Sequence, residues 1–247
     1  MRYLILSDIH GNCEALREVL KNAPPHDEVL FLGDLVGYGA SPNEVVALLS
    51  ELKITGMVRG NHDKVCTGID PGYHFNTNAL ASAHWTRDQL TPANLEFLRR
   101  LPQGPLRIDD IITISHGSPM DEDYYILYEN DAFVSFQNFD TLLCFFGHTH
   151  VPGLFVLEKS PPAFYYILPR DDFFFHLELD GRRQYLINPG SIGQPRDYDP
   201  RAAFCLLDTD TAILSFYKTK YPVEEATTKI RQARLPEFLA ERLFSGV

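Results

Sequence analysis

Apolar residues along the chain follow two rhythms. Short unbroken runs at Tyr3–Leu6, Val29–Leu32 and Ile54–Val58 predict buried strands, the last weakened by Gly56. Between them, apolar positions recur every three or four residues. Leu16, Val19 and Leu20 share one face of a helix predicted over Cys13–Leu20. A second helix begins at Ser41-Pro42, a capping residue followed by a proline that suits a first turn, and runs on through Val45, Val46, Leu48 and Leu49. Strands alternating with helices predict βαβ units on a largely parallel sheet.

The middle of the chain is mostly helical from Asn76 to Arg100, with a fresh start at Thr91-Pro92 and a stop at Pro102 and Pro105. A strand pair, Leu106–Ile108 and Ile111–Ile114, turns at Asp109-Asp110; Tyr124–Tyr128 and Ala132–Phe136 read as short helices, and Leu142–Phe146 as a strand. From Leu154 onward the texture is β-rich. The runs are Leu154–Leu157, Phe164–Leu168, Phe173–Leu179, Tyr185–Ile187, Ala203–Leu207 and Ala212–Tyr217. They predict a second, more antiparallel sheet, and the aromatics Phe173–Phe175 read as core and inter-sheet packing. Glu224–Ile230 and Leu235–Leu243 read as closing helices. With no repeat, low-complexity linker or break, one domain is expected over residues 1–247, with a mainly helical segment at about 74–101.

Composition narrows the class. The 247 residues are 45% hydrophobic and 22% charged, which excludes a disordered, collagenous or coiled-coil chain. Lys plus Arg is 22 and Asp plus Glu is 33, a formal charge of −11. That argues against a protein that coats nucleic acid or anionic membrane, so neither a stable nucleic-acid complex nor a membrane partner is expected. None of Cys13, Cys66, Cys144 and Cys205 forms a C-x-x-C pair, and Cys144 and Cys205 sit in apolar runs as small buried hydrophobes would. Met1–Ser7 does not read as a signal peptide, so none is expected, and no apolar run approaches the roughly 18 residues of a membrane helix. A cytoplasmic setting is expected.

Six polar signatures punctuate this frame: Asp8-Ile9-His10, Gly33-Asp34, Gly60-Asn61-His62-Asp63, Ser115-His116-Gly117, Gly147-His148-Thr149-His150 and Asn188-Pro189-Gly190-Ser191. The first five each follow closely on a predicted strand. Side chains at strand carboxyl ends converge on one rim of an α/β fold, so residues distant in sequence can meet there. Asp, His and Asn offer the nitrogen and oxygen ligands favoured by manganese, iron, zinc or magnesium, and no thiolate takes part. Two carboxylates cannot neutralise two divalent ions: +4 − 2 leaves +2, and a bridging hydroxide would leave +1. Such a centre attracts a phosphate anion despite the overall negative charge.

The ordered set D-x-H, G-D, G-N-H-D, H and G-H-x-H strongly resembles the calcineurin-like metallophosphoesterase superfamily, over Tyr3 to about Asp208. The resemblance implies a four-layer αββα sandwich with two mixed β-sheets and two divalent metal ions between the sheet ends. Manganese is the first expectation, with iron, zinc, nickel or magnesium also accepted. It implies that Asp8, His10, Asp34 and His150 hold one ion and Asp34, Asn61, His116 and His148 the other, so that Asp34 bridges them. It also implies a metal-bridging hydroxide as nucleophile. His62 stays off the metals and faces the phosphoryl group, and the 74–101 segment lies near the rim. Asp63 either orients His62 or its loop, or caps backbone N–H groups in a turn.

Departures from the family pattern sharpen the reading. Protein phosphatases and symmetric dinucleoside tetraphosphatases carry Asp-Arg-Gly after the metal-bridging Asp, and Glu after the Asn-His pair. Here the stretches are Val36-Gly37-Tyr38 and Asp63. The chain looks more like the compact stand-alone prokaryotic phosphoesterases, in which Gly33-Asp34-Leu35-Val36-Gly37-Tyr38-Gly39 and Asn188 through Asp197 are recurrent stretches. Arg196 either supplies the missing guanidinium to a substrate phosphate or pairs with Asp197 or Asp199 to pin its loop. Tyr38, His74, Asn76 and His84 read first as surface or core residues and second as entrance residues. The expected activity is a di-metal phosphodiesterase on a small nucleotide or similar ester, with catalytic residues His62, Asp34 and Asp63 and substrate contacts from Asn61, His62 and Arg196. A phosphomonoesterase or dinucleoside polyphosphate hydrolase is the alternative among enzymes. A non-catalytic protein-binding scaffold is the alternative outside them, and the intact His62 and ligand set weigh against it. A homodimer face in the aromatic-rich second half stays open.

Overall fold

The computed structural model describes residues 1–247. The apolar runs form strands β1 (Arg2–Leu6), β2 (Glu28–Phe31) and β3 (Ile54–Met57), crossed by helices α1 (Cys13–Asn22) and α2 (Pro42–Ser50). Helices α3 (Asn61–Thr67), α4 (Thr77–Gln89) and α5 (Pro92–Arg99) follow, then strands β4 (Leu106–Arg107) and β5 (Ile112–Ile114). Next come α6 (Glu129–Ser135), a single 3₁₀ turn at Phe136–Asn138, and β6 (Leu143–Phe145). Six strands follow: β7 (Gly153–Lys159), β8 (Pro162–Ile167), β9 (Phe173–His176), β10 (Arg183–Asn188), β11 (Ala202–Asp208) and β12 (Ile213–Thr219). The chain closes with α7 (Val223–Gln232) and α8 (Glu237–Ser245).

The strands make two six-stranded mixed sheets, ordered β3-β2-β1-β11-β12-β9 and β4-β5-β6-β10-β7-β8. The β-rich second half therefore does not make a sheet of its own. β11 adds antiparallel to β1 and carries β12 and β9 into the first sheet, while β10 adds parallel to β6 and carries β7 and β8 into the second. An apolar run records burial and not which edge receives it, so this division is invisible in the periodicity.

Alternation along the strands separates three apolar layers. Leu4 and Leu6 of β1 face α1, α2, α7 and α8, while Tyr3 and Ile5 face the second sheet. Phe145 and Ile187 meet them from that sheet, and Cys144, Phe146 and Leu186 point outward under α6. The order is helix, sheet, sheet, helix, the expected four-layer arrangement. Phe173 and Phe175 pack towards the inter-sheet layer, but Phe174 between them is exposed, as period two requires. All four cysteines are free and buried. No helix is long and apolar enough to cross a membrane.

One predicted helix is absent. Tyr124–Ile126 has no regular structure. The amides of Leu127 and Tyr128, with the Tyr124 hydroxyl, donate to the Asp131 carboxylate (3.0, 2.9 and 2.9 Å) and build the start of α6 instead of an upstream turn.

Candidate metal centre

The carboxyl ends of β1, β2, β3, β5 and β6 lead directly to the polar signatures. Their loops turn sharply enough to need left-handed backbone at non-glycine residues: Asp8 (φ 52°), His10 (49°), Asp34 (56°), His148 (67°) and His150 (62°). Each such residue costs on the order of 1 kcal/mol, and strain concentrated in this way marks a site. Glycine is required where loops touch. A Cβ on Gly60 would lie 2.0 Å from Asp34 Oδ1, and one on Gly147 2.1 Å from Ser7 Oγ. The Asn188–Gly193 segment supports the rim from outside. Asn188 donates to the Gly147 carbonyl (2.8 Å) and the Ser191 hydroxyl to the Asp8 carbonyl (2.8 Å).

Two buried donor sets result. Asp8, His10, Asp34 and His150 offer atoms within 4.8 Å of one another, and so do Asp34, His116 and His148. Asn61 Oδ1 joins the second set at 3.2 Å from His116 Nε2. Asp34 Oδ2 sits between the sets, 3.5 Å from His10 Nε2 and 3.4 Å from His116 Nε2.

These residues fit cations. His10 Nδ1 faces the Val36 carbonyl (3.3 Å) and His150 Nδ1 the Gln194 carbonyl (2.6 Å). A carbonyl only accepts, so the ring protons lie on Nδ1. The two Nε2 lone pairs then confront each other at 3.0 Å, an arrangement that calls for a positive charge between them. Asp34 Oδ2 is buried without a hydrogen-bond partner, a costly state for a carboxylate oxygen unless a cation meets it. His148 Nε2 donates to the Asp123 carbonyl (3.0 Å), which leaves Nδ1 as its free lone pair. The set is entirely nitrogen and oxygen, the chemistry of a binuclear divalent centre.

Electrostatics agree. Burial pushes the pKa of His10, His148 and His150 down, keeping them neutral as ligands must be. Burial also opposes charge on Asp34, yet the neighbouring His116 holds its pKa well below the ordinary value. His116 is the exception among the histidines. Burial lowers it, but the Asp34 charge more than reverses this and raises it to about 10. In the metal-free chain a proton on His116 thus takes a place where an ion would bring charge.

His62 and Asp63 follow Asn61 but lie outside the donor sets. Burial lowers the pKa of His62 to about 4, so the ring is neutral near pH 7. Its Nδ1 is buried without a partner, and its ring lines the adjoining cavity. Asp63 does not touch the His62 ring. Its oxygens accept from the amides of Asp34 (2.9 Å), Gly60 (3.0 Å), Leu35 (3.0 Å) and Val36 (3.2 Å), which ties the β2 and β3 loops together. Burial and the Asp34 charge push its pKa up to about 7, against those amide donors.

A cavity of about 120 Å³ opens beside the centre, lined by Asn61, His62, His148, Tyr38 and Phe75, with His74 and Asn76 from the segment before α4. His84 is exposed and does not reach it. Arg196 pairs with neither Asp197 nor Asp199, because Lys218 and Arg201 take those carboxylates. Its guanidinium instead meets Gln194 Oε1 (2.9 Å) and the Tyr38 hydroxyl (3.5 Å). Two residues at the site were not singled out by sequence. Tyr125 stacks on His148 with ring centroids 3.6 Å apart, and Asp123 both orients His148 through its carbonyl and lines the cavity. Both lie in the stretch after Ser118, where no motif of metal-donor or catalytic residues marks them.

A family model described as calcineurin-like phosphoesterase matches residues 1–152. An uncharacterized protein of Methanocaldococcus jannaschii is 35% identical over 249 residues, spanning 98% of this chain and 97% of that one. The crystal structure of a metallophosphoesterase from Sphaerobacter thermophilus is similar at a TM-score of 0.86 and 37% identity, covering 100% of this chain and 99% of its own. A hypothetical protein of Pyrococcus horikoshii shares the fold at a TM-score of 0.78 and 21% identity, over 100% and 98% of the two chains.

Proposed function

Because the chain belongs to the calcineurin-like phosphoesterase family and carries two donor sets that share a carboxylate, we propose that this metal-dependent phosphoesterase is a phosphodiesterase acting on a small nucleotide or similar ester. The observation that carries the reading is the buried Asp34 oxygen, without a hydrogen-bond partner between two clusters of metal-donor side chains. In this reading Asp8, His10, Asp34 and His150 hold one ion and Asp34, Asn61, His116 and His148 the other, with manganese the first choice. Bound divalent ions would supply Lewis acidity and lower the pKa of a water.

The remaining work falls to the chain itself. The His62 ring, which lines the cavity, donates a hydrogen bond to a phosphoryl or leaving oxygen. Asp63 is a positioning residue, holding Asp34 through backbone amides. Asn61 orients the ester, and Arg196 offers its guanidinium from the rim, where no carboxylate competes for it. Val36-Gly37-Tyr38 supplies no second guanidinium, and Asp123 brings a carboxylate to the cavity wall. Both features favour the single charge of a diester over the dianion of a monoester. The whole chain acts as one domain in this reading, with the segment at about 74–101 contributing His74, Phe75 and Asn76 to the rim. Four free cysteines support a reducing, cytoplasmic setting.

The test compares bis-p-nitrophenyl phosphate with p-nitrophenyl phosphate on manganese-loaded protein. The diester is expected to give at least about tenfold higher kcat/KM, the size of one lost charge-assisted contact. A tenfold preference for the monoester overturns the assignment.

A further inference from the structure

A second, larger cavity of about 570 Å³ has Arg196 in its wall, and the Arg196 amide donates to the His150 carbonyl (3.3 Å). Val151, next in the chain to His150, lines it, and so does Arg196, whose other contacts reach Tyr38 at the metal-side cavity. Arg196 therefore links the wall of the larger cavity to a residue that lines the smaller one. The metal-side cavity of about 120 Å³ accommodates a phosphate group but not a nucleotide around it, while the larger one falls in the range of small-molecule sites.

The charges on its walls are unevenly used. Lys218 pairs with Asp197 and lies 3.0 Å from Asp199. Arg201 grips Asp199 with a closest approach of 2.6 Å and reaches Asp171 at 2.5 Å. This network consumes all three carboxylates of the cavity, and burial of Asp199 is overridden by Arg201 and Lys218, which hold its pKa low. Two guanidinium groups are left over. Arg170 is exposed and pairs with no carboxylate, and Arg196 pairs with none while its Nε is buried without an acceptor. In a chain with 33 acidic against 22 basic residues, two unpaired arginines facing one cavity next to a di-metal centre call for an anion.

We propose that this cavity is a second phosphate subsite, so that the substrate carries a further phosphate group beyond the one at the metal centre, bound by Arg196 and Arg170. The proposal rests on the phosphoesterase reading above. Planar guanidinium groups match phosphate oxygens in pairs, and the ion-paired wall of Lys218 and Arg201 keeps the subsite shape without competing for the ligand.

Binding, which needs no turnover, tests this. Calorimetric titrations of protein at saturating manganese compare adenosine 5′-diphosphate with adenosine 5′-monophosphate, and pyrophosphate with phosphate. The wild type is expected to bind the diphosphate about tenfold tighter than the monophosphate, the usual worth of a charge-assisted contact. Arg170→Ala should remove most of that gain, Arg170→Glu should reverse it, and Arg170→Lys should keep part of it. Arg170 is exposed, so these variants test recognition and not folding. A gain for both pairs supports a subsite that reads phosphate alone, and a gain for the nucleotide pair only supports one that reads a nucleotide. Equal affinities in the wild type, or equal losses for both nucleotides in Arg170→Ala, overturn the subsite. If the gain holds while diester hydrolysis fails, the diesterase reading falls and the subsite stands.

Discussion

The two halves of the metal centre share Asp34 and differ in what holds the rest. In the first half, His10 and His150 are locked by backbone carbonyls of Val36 and Gln194, and Asp8 accepts from Ser7 Oγ at 2.6 Å and from the His148 amide at 3.2 Å. Every support is a strand end or the loop that packs on it. In the second half, His116 is locked in the same way to Leu32 (2.8 Å), but His148 depends on the Asp123 carbonyl and on stacking by Tyr125. Asp123 is tied in turn to Lys64 at 2.5 Å, and Lys64 to Glu122, which Arg59 also grips at 2.8 Å. One half is set by hydrogen bonds inside the sheet ends; the other leans on a chain of ion pairs beneath an irregular loop. The second half also borders the cavity. Ligands can thus be equally buried and yet unequally secured.

The comparison can be broken most severely at the shared residue. Asp34→Asn removes the one charge common to both donor sets, so both ions are expected to weaken together and kcat to fall by about three decades or more at saturating metal. Metal content and kcat measured on the same sample check this. Loss of a single ion with kcat retained contradicts a shared ligand.

Lys64→Met separates the halves. It frees Asp123 to shift and takes the His148 orientation with it. The second equivalent of metal is expected to bind about 10–100-fold more weakly while the first is unchanged. A two-step metal titration reads both, and thermal melting shows whether the buried pair was also needed for the fold. Lys64→Arg should restore much of the second step. Equal weakening of both steps erases the distinction.

The smallest effect is one of pH. His116 has a folded pKa of about 10, above its unfolded value near 6.5. A raised histidine pKa means the protonated form stabilises the metal-free fold. That contribution is full below about pH 6.5 and is lost as pH rises towards 10. Chelated protein should therefore lose a few degrees of Tm over that interval, relative to metal-loaded protein. Metal affinity should rise over the same interval as the competing proton leaves. A flat difference in Tm would contradict a proton held on His116 in the metal-free chain.

Much of this molecule was written in the order of its residues. The strand runs at Tyr3, Val29, Ile54 and Leu142 and the polar signatures behind them needed only hydrophobic contrast and ligand chemistry to be found, because burial and coordination each demand particular residue types. Cys144 and Cys205 lay buried as their apolar neighbours implied. Other features had no such signature. β11 could pair with β1 only once the first sheet offered an edge, and an apolar run does not name its neighbour. Tyr124–Tyr128 was expected as a short helix, yet the Asp131 carboxylate claimed the amides of Leu127 and Tyr128.

The same divide runs through the site. The family resemblance of the ordered motifs named Asp8, His10, Asp34, Asn61, His116, His148 and His150 together, and the fold gathers them in two adjoining clusters. Only the tertiary structure decided which groups serve them. Asp63 clamps amides and leaves the His62 ring alone because two loops converge on its oxygens. Arg196 is free because Lys218, 22 residues away in sequence, reached Asp197 first. His62 is neutral because its ring is buried against Tyr38 and Phe75. Residue type states what a side chain can do. Its charge and its partner depend on solvent exclusion and on competition among neighbours, and those exist only after folding.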